Sequence, residues 1–122
     1  MIGARTGSTG LTAGENGNLV GTGSSRLDPA LGPLSDNGGL GQTHLPKAQS
    51  PVLDAGLNDL VTGADFGDTP LDQRGDDGTE SFPRILDSTG DGDAIVDIGA
   101  VEFVPTTPVF QTTEVTTVDE DQ

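Results

Sequence analysis

Apolar residues along this chain occur in short clusters separated by Gly, Ser, Thr, Asn and Asp. The clearest cluster is residues 94–104, where apolar side chains would fall on both faces of an extended segment. That pattern is typical of a strand covered on two sides, so the best strand of the protein is predicted here. Shorter strands are predicted at residues 18–21 and 84–86.

The segments between these clusters are rich in turn-forming residues. Prolines and glycines interrupt residues 27–56, and each proline keeps its predecessor out of helical geometry, which predicts an ordered loop with little regular structure. Residues 57–61 form either a helical turn or a short strand, and residues 63–80 are polar and flexible with an exposed turn. After Pro105 the chain becomes Thr-rich, which places a domain boundary near this residue.

Composition limits the size of the core. The chain has 122 residues, of which 31% are hydrophobic, and it contains no Cys, Trp or Tyr. This length suits one small domain with a modest core that no disulfide can reinforce. Twenty acidic residues against five basic ones give a formal charge of −15, which excludes nucleic acid and anionic membranes as partners. The same charge is compatible with divalent cations.

The sequence carries no export or membrane signal of its own. No apolar run approaches the length of a membrane-spanning helix, so we predict no membrane insertion by this chain. Residues 1–5 lack the apolar core of a signal peptide. Either an export signal lies upstream in a longer parent, which we favour, or the chain stays in the cytosol.

Several short turn-rich motifs follow one another in a fixed order. They are Asn18-Leu19-Val20-Gly21, Asp28-Pro29, Leu31-Gly32-Pro33-Leu34, Asp36-Asn37-Gly38-Gly39, Thr43-His44, Ser50-Pro51, Asp54-Ala55-Gly56, Asp72-Gln73-Arg74-Gly75 and Asp97-Ile98-Gly99-Ala100-Val101-Glu102. This series resembles the C-terminal part of the choice-of-anchor Q proteins, large bacterial surface or secreted proteins whose body is a right-handed parallel β-helix. The resemblance covers about residues 18–103.

The resemblance implies an all-β fold, namely the terminal coil and capping region of a right-handed parallel β-helix, loop-rich and with a flexible C-terminal tail. Residues 1–26 would be the last coil or a disordered lead-in. Residues 27–104 would form the cap, and residues 105–122 a Thr-rich linker or the start of a repeat domain. Asn37-Gly38-Gly39 and Ala55-Gly56 would supply positive-φ positions. A solenoid needs such a cap because its end exposes strand edges and an apolar cross-section.

The resemblance also implies a non-catalytic structural or adhesive role in an extracellular or cell-surface protein. The partners would be the rest of the parent β-helix chain, together with surface glycans or proteins. Residues 115–121 resemble the opening of cadherin-like repeats. The alternative is a remnant of a β-helix carbohydrate-active enzyme with Asp54 and Asp72 as an acid/base pair. The absence of aromatic platforms for sugar stacking disfavours it.

One acidic segment suits a metal ion. It carries Asp87, Asp91, Asp93 and Asp97, with glycines at positions 90 and 92, and carboxylate oxygens in short turns are calcium ligands. Counted from Asp87, the spacing follows the start of an EF-hand loop but places Ile98 where a bidentate Glu is required. Two interpretations stay open at this point: a calcium site, or a solvated turn whose Asp side chains cap backbone amides.

The remaining polar candidates favour structural roles. His44 is the only histidine, which makes a zinc site or a nucleophile relay a poor prediction, and we expect it to hydrogen-bond backbone. Arg74 stands among acidic residues and is predicted to pair with a carboxylate or with carbonyl groups. A second acidic cluster is predicted to be a charged loop rather than a metal site; it consists of Asp76, Asp77 and Glu80.

Overall fold

The computed structural model describes residues 1, 3–7 and 9–105 of the chain. The predicted tail beyond Pro105 lies outside these residues. Two short 3₁₀ helices and four strands follow in the order Glu15–Gly17 (helix), β1 Leu31–Ser35, β2 Thr43–Pro46, Asn58–Leu60 (helix), β3 Leu71–Asp76 and β4 Ser81–Pro83. The protein is therefore all-β, as predicted, with long connecting segments.

The strands form two separate antiparallel hairpins within the described residues. In the first, β1 pairs with β2 so that Leu34 lies opposite His44, with an irregular register towards the start of β1. In the second, β3 pairs with β4 so that Leu71 lies opposite Pro83, again with an irregular register. A two-stranded hairpin is marginally stable by itself, so the connecting segments must supply much of the stability.

The interior of the described residues is as much polar as apolar. Its buried apolar side chains are Val52, Leu53, Phe82, Val96 and Val101. The buried polar or charged side chains are Thr43, Ser50, Asp72, Arg74, Ser88, Asp97 and Glu102. The modest core predicted from composition is confirmed, and buried polar groups of this kind persist only where hydrogen bonds satisfy them.

The prediction of a strand at residues 94–104 is wrong, because this segment belongs to neither sheet. The side-chain amide of Asn58 takes the place of a strand neighbour: its Nδ2 donates to Ala94 O (3.0 Å) and its Oδ1 accepts from Val96 N–H (2.8 Å). The apolar pattern on two faces reflects burial of Val96 and Val101 among irregular segments. Burial on both sides does not require a sheet.

Three other local predictions have mixed outcomes. The helical alternative for residues 57–61 is confirmed by the 3₁₀ helix there. The strand predicted at residues 84–86 is wrong, because β4 ends at Pro83, just before it. Residues 27–56 contain a hairpin that the density of proline had argued against. Pro33 is tolerated in β1 because a strand in a two-stranded sheet has a free edge where no N–H is needed.

Glycines allow one loop to pack tightly on the second hairpin. Gly38 and Gly39 have the predicted positive φ, at 90° and 77°. A Cβ at Gly38 would lie 2.4 Å from Cζ of Phe82, and one at Gly39 would lie 2.4 Å from the carbonyl oxygen of Arg74. Gly56, by contrast, is not in the positive-φ region, and it is Asp54 that has φ 48°. The prediction of positive φ at Ala55-Gly56 is therefore wrong.

Candidate functional site

The acidic turn is organised by the side chain of Asp87. Its Oδ1 accepts hydrogen bonds from the backbone N–H groups of Gly90 (2.6 Å) and Asp91 (3.2 Å), and its Oδ2 accepts one from Gly92 (2.9 Å). Asp91 in turn accepts the N–H of Asp93 at 3.0 Å. Positive φ at the two glycines lets the chain reverse tightly around the carboxylate. Asp side chains therefore cap backbone amides, as the turn interpretation expects.

Asp54 reaches the same turn from a distant part of the sequence. Its Oδ1 accepts the N–H of Ser88 (3.0 Å) and its Oδ2 accepts the N–H of Thr89 (2.7 Å). One oxygen each from Asp54, Asp87 and Asp91 lie within 4.8 Å of one another. We call these three residues the carboxylate cluster. Their oxygens are the ligand type that calcium prefers, and each retains lone pairs beyond those used by the amides.

Two of the four predicted metal ligands lie apart from the carboxylate cluster. Asp93 is exposed and is not part of it. Asp97 is only 2% exposed, and its oxygens accept the N–H groups of Asp54 and Phe103, each at 2.8 Å. The hydroxyl of Ser88 lies 3.2 Å from Asp97 Oδ2. Burial raises the pKa of Asp97, although the backbone hydrogen bonds partly oppose that shift.

Glu102 lies in surroundings that disfavour a charge. Its side chain is fully buried, and both carboxyl oxygens receive the same donor, the N–H of Asp97, at 3.0 and 3.1 Å. Arg84 Nε lies 3.9 Å from Oε1, too far for a hydrogen bond, and this buried nitrogen has no hydrogen-bond partner in the described part of the chain. Burial raises the pKa of Glu102 to about 8.

Arg74 joins three segments of the chain through its guanidinium. Its Nη2 donates to Asp72 Oδ2 (2.6 Å) and to the carbonyl oxygen of Glu102 (2.9 Å), and its Nη1 donates to the carbonyl oxygen of Asn37 (3.3 Å). The guanidinium also stacks on Phe82, with Cζ 4.1 Å from the ring centroid. The predicted structural pairing of Arg74 is confirmed. Asp72 is therefore engaged by Arg74 and is not placed as a free acid or base.

The second acidic cluster lies at the turn that connects β3 to β4. Asp76 accepts the N–H of Gly78 (2.7 Å), and Asp77 accepts those of Thr79 and Glu80, each at 2.8 Å. The hydrogen bond from the Glu80 backbone is the main reason that the pKa of Asp77 lies below its usual value. These acids close the connection between β3 and β4 and fit the prediction of a charged loop.

A groove of about 410 Å³ opens beside the first hairpin. Its lining includes Pro29, Leu31, Leu34, Val52, Ile98 and Val101, and it contains no carboxylate side chain. Leu31 and Leu34 are 42% and 55% exposed, so two large apolar side chains of the groove are open to solvent. His44 lies at its edge and donates from Nδ1 to Gly32 O at 2.8 Å, so the predicted backbone hydrogen bond is confirmed. Sequence reasoning missed this surface because its members come from separate segments.

Comparison of the chain with protein-family models, with curated proteins and with solved structures gave no match. Across residues 1, 3–7 and 9–105, none of the helices has the length and apolar character needed to cross a membrane.

Proposed function

We propose that this chain is a non-catalytic structural module that caps the end of a right-handed parallel β-helix in an extracellular or cell-surface bacterial protein with an adhesive role. The observation that carries the proposal is the apolar groove beside the first hairpin, with Leu31 and Leu34 exposed. A surface of this kind is normally covered by another part of a protein. The occupant we propose is the apolar cross-section of the last β-helix coil of the same parent protein.

The shape of the described residues supports a capping role. A solenoid end leaves unpaired strand edges and an apolar face, and a cap must cover both while presenting a polar surface outward. Here the chain has an apolar groove on one side, whereas most of its acidic side chains are exposed. Surface glycans or other proteins would be partners of the parent protein rather than of the groove.

The positions of the carboxylates support a role without catalysis. A glycosidase needs two carboxyl groups facing each other across the substrate. Asp72 is held by Arg74, and Asp54 accepts two backbone amides in a different region. The groove is lined by no acid, and the chain has no Trp or Tyr on which a sugar could stack.

Two charge substitutions test the cap. In a longer chain that includes the coding sequence in frame before Met1, Leu34→Glu should lower the free energy of unfolding by about 2 kcal/mol or more, because it buries a charge under the last coil. In the present chain the same substitution should be nearly neutral, since Leu34 is already 55% exposed. Calorimetry of both chains measures the difference.

Leu40→Glu is the matched control, because Leu40 is 88% exposed and does not line the groove. It should be nearly neutral in both chains. Equal effects of Leu34→Glu in the long and short chains would contradict the cap. Upstream coding sequence without repeated strands would contradict it as well.

The carboxylate cluster favours a second candidate function, calcium binding. Three oxygens from Asp54, Asp87 and Asp91 already lie within 4.8 Å of one another, where like charges repel unless a cation lies between them. Calcium requires six to eight oxygen ligands, which backbone carbonyls and water would complete. Calcium would then act as a structural ion that fixes Asp54 to the acidic turn.

A calcium titration tests this second function. Saturating calcium should raise the unfolding midpoint relative to chelator. At one hundred times its dissociation constant, calcium should add about 2.7 kcal/mol to the free energy of unfolding. Asp91→Asn should remove most of that gain, because it removes one charge of the cluster while keeping an oxygen that accepts a hydrogen bond. Asp93→Asn, in the same turn but outside the cluster, should preserve it. Equal midpoints with calcium and chelator would eliminate the calcium site.

A further inference from the structure

Two Asn-Gly pairs in the chain have very different surroundings: Asn16-Gly17 and Asn37-Gly38. In such a pair the backbone nitrogen of glycine, which no neighbouring Cβ shields, can attack Cγ of the asparagine side chain. The new N–C bond closes a five-membered succinimide and the side-chain amide leaves as ammonia. Water then opens the ring to aspartate or isoaspartate. Judged from the sequence alone, the two pairs should deamidate at the same rate.

The first pair lies in a weakly held part of the protein. Asn16 is exposed and belongs to the 3₁₀ helix Glu15–Gly17, which contains no buried residue. Its backbone is left-handed, with φ 51° and ψ 36°, and its side chain has no hydrogen-bond partner within residues 1, 3–7 and 9–105. A turn with so few contacts opens at low cost in free energy. The side-chain amide of Asn16 is therefore exposed, and Gly17 is half-buried in a short turn that opens easily.

The second pair has both reacting groups held in hydrogen bonds. Asn37 Nδ2, the leaving group, donates to the carbonyl oxygen of Thr43 at 2.8 Å and lies 3.1 Å from its Oγ1. The N–H of Gly38, the nucleophile, donates to Asp36 Oδ1 at 3.1 Å. Gly38 is further fixed by its contact with Phe82. Reaction at Asn37 would first require this packed loop to open.

We propose that Asn16 is a site of spontaneous deamidation in the folded protein, whereas the fold protects Asn37. The modification adds one negative charge to an already acidic chain, and the isoaspartate product lengthens the backbone by one carbon inside the turn. That turn is closed by the hydrogen bond from Gly14 N–H to Asn18 O (2.9 Å). The reaction therefore alters the turn directly and leaves the buried network around Arg74 intact.

Mass spectrometry of the aged protein tests the proposal. Trypsin separates the two pairs, because cleavage after Arg5, Arg26 and Lys47 yields peptides 6–26 and 27–47. After incubation of the folded chain at mildly alkaline pH, peptide 6–26 should be deamidated at least about tenfold faster than peptide 27–47. In urea the two rates should become similar. Similar rates in the folded chain, or a faster reaction in peptide 27–47, would overturn the proposal.

Two variants identify the reacting atoms. Asn16→Gln should abolish the fast modification of peptide 6–26, since a six-membered ring closes much more slowly than a five-membered one. Asp36→Ala frees the N–H of Gly38 at an exposed position and should accelerate the reaction at Asn37. If Asn16→Gln leaves the fast modification in place, or if Asp36→Ala leaves the rate at Asn37 unchanged, the assignment of these groups is wrong.

Discussion

Replacement of Arg74 by methionine should destabilise the protein by about 3–5 kcal/mol, the range for removal of one partner from a buried ion pair. Arg74 and Asp72 are each only 5% exposed, so the carboxylate of Asp72 would stay buried without its counter-ion. The carbonyl oxygens of Asn37 and Glu102 would lose their donors as well. Small domains have total stabilities of about 5–15 kcal/mol, so this loss is a large fraction of the whole.

Denaturant unfolding followed by circular dichroism, with calorimetry, measures this effect, since the chain has no Trp or Tyr for fluorescence. Arg26→Met is the matched control, because Arg26 is exposed, and it should change stability by less than about 0.5 kcal/mol. Adding Asp72→Asn to Arg74→Met should restore part of the stability by removing the unpaired charge. If Arg74→Met were as stable as Arg26→Met, the guanidinium of Arg74 would contribute little to the stability of the fold.

Sequence alone predicted the residues that act locally and failed where partners are distant. The positive φ of Gly38 and Gly39, the turn around Asp87 and the pairing of Arg74 follow from neighbouring residues and were predicted. The strand at residues 94–104 was predicted wrongly because apolar residues on both faces fit any segment buried on two sides. Its partners include the amide of Asn58 and the backbone of Val52 and Gly56, and no sequence signal distinguishes such an amide from a solvated side chain.

In the candidate sites too, sequence predicted the local residues and missed the partners that are distant in sequence. Asp87 and Asp91 were predicted as ligands from their spacing, but Asp54 joins them only through folding, since its hydrogen bonds to Ser88 and Thr89 are long-range. Asp97 shares the acidic pattern of the turn, and only burial shows that its oxygens serve backbone amides instead. The metal-binding prediction itself stays a prediction that calcium titration will decide.

Glu102 should make the protein less stable as the pH rises. Its pKa is about 8 in the folded chain, above the ordinary value of 4.5, because burial disfavours its charge. The folded chain therefore keeps a proton that the unfolded chain releases above about pH 4.5. This stabilising contribution is complete below that pH. Between pH 4.5 and about 8 it is lost at about 1.4 kcal/mol per pH unit. The raised pKa of Asp97 acts in the same direction, and the lowered pKa of Asp77 acts in the opposite one.

Glu102→Gln isolates this contribution because glutamine retains an oxygen that accepts the N–H of Asp97 but cannot ionise. We expect the variant to be more stable than the natural sequence at about pH 9, and the difference to shrink steadily towards about pH 5. Urea unfolding at a series of pH values measures it. Glu80→Gln, which removes an exposed carboxylate, should leave the pH dependence unchanged. If Glu102→Gln keeps the full pH dependence, Glu102 is ionised in the folded protein and Arg84, at 3.9 Å, supports that charge.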